Sequence, residues 1–505
     1  FQRDEAYGMM VRDLKTAQSV SYAVPAVLEK TLREYQKIGY TWMRTLARYH
    51  FGGILADDMG LGKTLQVIAL LTAFYQEKTE QKAAGNEGSG SELPLPSLIV
   101  CPASLVYNWQ KEISRFAPQI KTTLVTGLAT ERQRIVRHTK EGEVLITSYD
   151  LLKRDVELYR DMVFAIQVID EAQYIKNPGT QAAKGVKKIT AAFKLALTGT
   201  PIENRLSELW SIFDYLMPGF LYTYQKFREE IETPIVVNKD ENKMERLQRM
   251  IRPFILRRLK GDVLKDLPEK LEENVYAKME GEQLALYDAH VQQMKQMLDG
   301  KSEAEFKSNK IQILAELTKL RQLCCDPALL FEDYKGESAK VQMCMDLIGN
   351  AVHGGHKVLL FSQFTTMLDR LAEQLKKLGI DYYMLTGSVN KEKRMQMVDS
   401  FNKDDVPVFC ISLKAGGTGL NLTAADIVIH YDPWWNVAAQ NQATDRAHRI
   451  GQENTVTVYE LIAEHTIEEQ IQNLQKSKQD LAEEILSGEG ISSILIDRDE
   501  ILKLL

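Results

Sequence analysis

Short, continuous apolar runs recur in two series along the chain, each separated from the next by a stretch of helical spacing. The first series lies at residues 53–56, 98–101, 144–148, 164–170 and 194–198. The second lies at 358–362, 382–385, 408–412, 427–431 and 456–461. Runs without polar alternation predict strands buried on both faces, as in a parallel sheet covered by helices. Two α/β lobes are the simplest organisation. Between them, over about 221–340, the spacing turns helical, most clearly at 282–298 and 310–323, and Gln, Lys and Glu become frequent. The end, 467–486, is again helical and polar. Residues 83–96 (AAGNEGSGSELPLP) read as a flexible surface loop.

The expected domains are therefore 1–220, a nucleotide-binding lobe; 221–340, a mostly helical insertion and linker; 341–465, a second lobe; and 466–505, a helical brace. A chain of 505 residues that is 44% hydrophobic and 26% charged is of ordinary globular composition. It has no run of 18 apolar residues, so no membrane span is expected. No signal peptide is visible, and a chain beginning at Phe1 reads as a fragment. Five cysteines without a C-x-x-C pair predict neither a zinc site nor a disulfide framework, which fits a reducing compartment. Net charge is 63 minus 69, or −6. That balance does not advertise nucleic-acid binding, yet it permits a local basic cleft.

The chemistry gathers in a few motifs. Asp57-Asp58-Met59-Gly60-Leu61-Gly62-Lys63-Thr64 stands between a strand and an apolar helix, the setting of a phosphate loop. There Lys63 would reach the β/γ oxygens and Thr64 would ligate Mg²⁺, while Asp57 stands where the strict pattern has Gly. Asp170-Glu171-Ala172-Gln173 ends another apolar run. A carboxylate there holds Mg²⁺ and its neighbour prepares the attacking water. Arg446 and Arg449 are three apart, so on a helical turn they share a face and can act as arginine fingers. Such fingers are worth roughly 10³–10⁵ in rate in other phosphoryl-transfer systems. Gln440 and Gln452 bracket the pair and are candidates for ribose or phosphate contact.

These motifs, in this order, resemble the helicase-related core of the Swi/Snf family of DNA-translocating ATPases in superfamily two. The resemblance runs from about Leu32 to Gln452. Leu32-Arg33-Glu34-Tyr35-Gln36 resembles the adenine-reading motif, with Gln36 on the base. DDMGLGKT is the family's phosphate loop, Asp57 included, and DEAQ its metal and base motif. LTGTPIEN (197–204) resembles the motif that couples hydrolysis to DNA contact, and LKAGGTGLNL (413–422) and ATDRAHRIGQ (443–452) resemble the family's second-lobe motifs. PFILRR (253–258) and LRQLC (320–324) are typical of this family rather than of helicases at large.

The resemblance implies two RecA-like parallel-sheet lobes with helical insertions, and ATP and Mg²⁺ as cofactors. It implies nucleotide contacts from Gln36, Asp58, Gly60, Leu61, Gly62, Lys63, Thr64, Gly419, Arg446 and Arg449. Catalysis would rest on Lys63, Asp170, Glu171, Arg446 and Arg449, and the metal on Thr64 and Asp170. The implied track is double-stranded DNA, held by its backbone with little base specificity. Its candidate residues at strand ends are Ser104, Asn108, Trp109, Lys111 and Ser148 in the first lobe. In the second they are Gln363, Gly387, Lys414, Gly416, Thr418 and Trp435. Ser and Thr after strands are equally candidate helix caps.

The expected function is translocation on duplex DNA that remodels protein–DNA complexes without strand separation. A strand-separating helicase, an RNA-polymerase-recycling ATPase and a scaffold with a relic ATP site are the rivals. A nucleosome or RNA polymerase is the load left open. The absence of a visible histone-reading module points to a bacterial or archaeal member, which would act at the nucleoid; a eukaryotic one would be nuclear.

Overall fold

In the computed structural model the described residues are 9–10, 12–13, 22–83, 95–140, 142–199, 206–264, 268–298, 310–416, 420–434 and 437–473. The chain divides into two compact units, with the boundary between Lys265 and Asp266.

The first unit is built on seven strands: β1 (Gly53–Leu55), β2 (Ser97–Cys101), β3 (Thr122–Leu124), β4 (Val144–Ser148), β5 (Val163–Ile169), β6 (Thr190–Leu197) and β7 (Ile255–Leu256). They lie in the order β3-β4-β2-β5-β6-β1-β7, and every pairing is parallel. All residues of β1, β2 and β4 are buried, the burial that their unbroken apolar runs require.

The second unit carries β8 (Lys270–Ala277), β9 (Val358–Ser362), β10 (Tyr382–Leu385), β11 (Val408–Ser412), β12 (Ile427–His430) and β13 (Val456–Ala463). Their order is β10-β11-β9-β12-β13-β8, again parallel throughout. Alternate residues of its strands enter two separate cores. Leu359, Phe361, Phe409 and Ile411 pack in one, and Val358, Leu360, Val408 and Cys410 in the other. The pleat sends neighbours to opposite faces, so both faces are covered.

Three strands lie outside the two predicted series. β3 has three half-buried residues, and β7 has two, next to Pro253. β8 is exposed over most of its length and carries Lys270, Glu272 and Glu273, as edge strands do to resist further pairing. β7 and β8 both fall inside the stretch read as mostly helical. The helices of that stretch run Gly281–Leu298 and Lys310–Cys325. They form a third core with Ala463, Ile467 and Ile471, where the polar C-terminal helix begins. A fully buried ion pair fixes that beginning. Lys340 Nζ sits 3.0 and 2.8 Å from the two Glu468 oxygens, and Glu468 Oε2 accepts the Ala463 N–H at 2.8 Å. All five cysteines are buried, and among the described residues no helix is long and apolar enough to cross a membrane.

His430, the last residue of β12, ties the sheet to the helix Val437–Thr444 through a 2.8 Å bond between its Nε2 and Thr444 Oγ1. Burial, helped by the charge of Lys270, pushes this imidazole down from 6.5 to about 3. The fold thus keeps it neutral where the unfolded chain would take a proton, so its contribution to stability is lost as pH falls below the ordinary histidine range. Going from about pH 7.5 to about pH 5, wild type is expected to lose about 2 kcal/mol more unfolding free energy than His430→Gln, which cannot charge. Urea unfolding at both pH values checks this; equal losses would mean that His430 protonates inside the fold.

Candidate nucleotide site and nucleic-acid track

In the first sheet four neighbouring strands, β5-β6-β1-β7, end on one edge because all run parallel. Asp170 follows β5, Thr198 follows β6, the phosphate loop follows β1, and Arg257-Arg258 follow β7. The carboxyl edge of a parallel sheet is where ligands bind in such folds, because loops and helix N-termini open there.

The loop turns on Gly60 and Gly62, both at positive φ (91° and 75°). A side chain at Gly62 would also meet Gln36 Nε2 at 2.4 Å. Lys63 opens the helix Lys63–Ala83, and its Nζ donates to the carbonyls of Asp57 (2.5 Å) and Asp58 (3.3 Å). Thr64 follows, half-buried in the first turn. The Leu61 carbonyl accepts from Tyr35 Oη and from Gln36 Nε2, each at 3.0 Å. Gln36 Oε1 in turn accepts Arg33 N at 2.9 Å, so both ends of this buried amide engage the unit itself.

Asp57 is wholly buried. Its carboxylate accepts from both arms of Arg258, with Nε at 2.8 Å, and from Gln66 Nε2 at 3.0 Å. Asp58 accepts Lys260 N at 2.9 Å, and its own N–H donates to the Arg258 carbonyl at 3.0 Å.

Asp170 is 9% exposed. Its Oδ2 accepts the Trp109 indole N–H and its Oδ1 the Glu171 N–H, both at 2.9 Å. Burial, then the adjacent Glu171 carboxylate, pushes its acid up to about 7. Among the described residues no group of three or more His, Cys, Asp or Glu gathers that could hold a metal; the buried Asp170 carboxyl, reluctant to ionise alone, is one oxygen donor whose charged form a divalent cation would favour. Glu171 adopts a left-handed backbone (φ 53°), rare for a non-glycine residue and common at functional turns. Its Oε2 accepts Gln173 Nε2 at 2.7 Å, and Gln173 Oε1 accepts Thr198 Oγ1 at 3.1 Å, which links the ends of β5 and β6.

The first unit's track candidates separate. Ser104 is half-buried; Asn108 and Lys111 are exposed. Trp109 is turned inward with Val106 and Ile113, so it braces Asp170 rather than facing a track. Its spacing with Val106 and Ile113 is the core stripe of a helix, a signal present in the sequence. Ser148 is buried and caps the helix Tyr149–Asp155, with its Oγ accepting Leu151 N at 3.3 Å.

In the second unit Gln363 and Gly387 follow β9 and β10, and Lys414 and Gly416 lie in the short helix Leu413–Gly416 after β11. Gly387 is exposed. Gln363 Nε2 is buried with no hydrogen-bond partner among the described residues. Thr418, Gly419 and Trp435 lie outside the described residues, as does 200–204 of LTGTPIEN.

Arg446 and Arg449 do not share a helical face. The helix ends at Thr444, and the chain continues in turns, with Arg446 N on Ala443 O and Arg449 N on Ala447 O. Arg446 is 3% exposed; Arg449 is half-buried and donates to Leu420 O at 3.0 Å. The turn is held by Leu422 N, which donates to the Arg446 carbonyl at 3.0 Å, and by Gln452, whose Nε2 donates to the carbonyls of Thr423, Ala425 and Ala447 and whose Oε1 accepts Glu453 and Asn454 N–H. Gln440 is likewise internal, donating to Glu460 Oε1 at 2.5 Å and accepting Trp434 N at 3.3 Å. Both glutamines shape the fold in this structure.

A family model described as SNF2-related domain matches residues 35–329, and one described as helicase conserved C-terminal domain matches residues 339–451. The uncharacterized ATP-dependent helicase MG018 of Mycoplasma genitalium is 40% identical over 480 residues, 94% of this chain and 44% of that protein. The putative ATP-dependent helicase/translocase YwqA of Bacillus subtilis is 39% identical over 491 residues, 95% of this chain and 52% of that protein. The chain thus spans about half the length of these curated relatives. A SWI2/SNF2 ATPase core of Sulfolobus solfataricus, solved in complex with dsDNA, is 36% identical and covers 92% of this chain and 94% of that one, with a TM-score of 0.44. With the SNF2-related match taking in more than half of the sequence and the helicase match following it, the chain belongs to the Swi/Snf family of helicase-like ATPases in superfamily two.

Proposed function

We propose that the chain is an ATP-dependent translocase on double-stranded DNA that acts on protein–DNA complexes with little or no strand separation. The observation that carries this reading is the single sheet edge holding the phosphate loop, the Asp170–Glu171 pair and Thr198 together. ATP with Mg²⁺ supplies the transferable phosphoryl group and the charge that polarises it. Gly60, Leu61, Gly62 and Lys63 cradle the phosphates, with Asp58 fixing the turn before them. Thr64 and Asp170 would hold the metal. Glu171 orients and deprotonates the attacking water, kept in place by Gln173 and Thr198. Gln36 stands beside the loop as the adenine-facing candidate, and Gly419 completes the nucleotide contacts. Arg446 and Arg449 supply positive charge to the transferring phosphate.

The DNA side rests on Asn108, Lys111 and Ser104 in the first unit and on Gln363, Gly387, Lys414, Gly416, Thr418 and Trp435 in the second. These are amides, hydroxyls, cations and bare backbone suited to phosphate rather than base edges. Support comes from the orphan Gln363 amide and from the helix Val106–Phe116, which exposes Asn108 and Lys111 and turns Trp109 toward Asp170. A duplex seated on that helix can therefore act on the metal-site carboxylate. YwqA, named helicase/translocase, is consistent with movement along DNA. A nucleosome or a polymerase remains the load to be identified.

Steady-state ATP hydrolysis is expected to rise at least tenfold with duplex DNA and much less with single strands or RNA. Glu171→Gln should lower turnover at least 100-fold while keeping nucleotide binding. Stimulation by single strands or RNA equal to that by duplex would favour the strand-separating helicase instead. Trp109→Phe keeps an aromatic side chain but removes the indole N–H that donates to Asp170 at 2.9 Å. It should lower turnover at saturating duplex roughly tenfold with duplex affinity unchanged. Weaker duplex binding with normal turnover at saturation would place Trp109 on the track.

A further inference from the structure

We propose that Arg258 is the positioning residue of the phosphate loop. Its guanidinium, joined to Asp57, sets the loop conformation in which Lys63 and the backbone N–H groups bind the ATP phosphates. This rests on the reading of the loop as the nucleotide site and adds a residue about 200 positions away in sequence.

The geometry is that of a clasp. Arg258 Nε lies 2.8 Å from Asp57 Oδ1, and its Nη2 donates to Asp57 Oδ2 and, at 2.8 Å, to Gln66 Oε1. Its Nη1 donates to the Tyr35 carbonyl, and the guanidinium lies 5.2 Å from the centroid of the Tyr35 ring. Gln66 closes the circuit by donating to Asp57 Oδ2 at 3.0 Å. Both partners of the pair are shielded, with side chains 11% and 0% exposed. Neighbouring backbone reinforces it: Ala56 N donates to Leu256 O at 2.7 Å, Asp58 N to Arg258 O at 3.0 Å, and Lys260 N to Asp58 Oδ2 at 2.9 Å.

Asp57 therefore does two things at once. Its side chain is held by Arg258, and its carbonyl accepts Lys63 Nζ. A shift of Arg258 moves the residue that anchors the loop lysine. Arginine suits the place because a planar fork serves a carboxylate, a carbonyl and an amide oxygen together, which a lysine ammonium at the end of a flexible stem cannot. The close quarters extend to Gly39, where a Cβ would come within 2.0 Å of Gln66 Oε1 and 2.8 Å of Arg258 Nη2.

The test is equilibrium binding of a fluorescent ADP, with and without Mg²⁺, alongside kcat, KM and melting temperature. The variants are Arg258→Lys, Gly39→Ala, Lys63→Ala and the double variant Asp57→Asn with Arg258→Gln. Arg258→Lys and Gly39→Ala should each weaken nucleotide binding and raise the KM for ATP about tenfold, with kcat changed less than about threefold. Gly39→Ala leaves every charge in place and presses on the ends of Gln66 and Arg258, and its melting temperature shows that the variant is folded at the assay temperature. The double variant leaves no buried charge unpaired but lacks the fork, so it should lose at least as much nucleotide affinity as Arg258→Lys. Nucleotide affinity unchanged in folded Arg258→Lys and Gly39→Ala, with only a lower melting temperature, would reduce the clasp to a stability element and overturn the proposal. If Lys63→Ala also bound nucleotide normally, the reading of the loop itself would fall; a defect in Lys63→Ala alone would sink only the role of Arg258.

Discussion

A phosphate-binding loop has to present bare backbone N–H groups, so every other polar group beside it must be satisfied from within the protein. That constraint organises the first unit. Asp57 is wholly buried at the mouth of the loop, and an isolated buried carboxylate is prohibitively costly. Arg258 and Gln66 answer its charge, Tyr35 and Gln36 take up the Leu61 carbonyl, and Lys260 takes up Asp58. The small strand β7 brings Arg258 there, which gives the PFILRR segment a physical reason to lie beside β1.

The same economy of buried polar groups shapes the second unit. Asp432, wholly buried after β12, accepts the Ser362 hydroxyl at 2.6 Å and lies 3.9 Å from the Arg321 guanidinium. Arg321 also donates to the Pro433 carbonyl, so the LRQLC helix is fixed to the loop that leads toward Trp434. Gln452 gathers three carbonyls into the turn that carries Arg446 and Arg449. Buried and internally bonded, these groups hold the candidate residues rather than meeting a ligand themselves.

Much of this was legible in the sequence, for identifiable reasons. Strands such as 98–101, 144–148, 358–362 and 408–412 appear as unbroken apolar runs because both faces of each sheet are covered. The phosphate loop and DEAQ declare themselves through local spacing. β8 does not, since an exposed edge strand carries charge instead of a hydrophobic pattern. The three-residue spacing of Arg446 and Arg449 does not reveal their turn, which is held by contacts from Leu422, Thr423 and Ala425, more than twenty residues away. Trp109 stands beside the exposed Asn108 in sequence, yet its spacing with Val106 and Ile113 marks it as inward. The partnership of Asp57 with Arg258 spans about 200 residues, and no local pattern announces such a pair.

If the chain moves along duplex DNA, ATP hydrolysis should be converted into displacement of whatever lies in its path without opening the base pairs. The most direct measurement is release of a labelled third strand from a DNA triplex, run beside a forked duplex with a labelled strand. ATP-dependent release of the third strand with the forked duplex left intact is the predicted result. Unwinding of the fork with the triplex undisturbed would contradict the account.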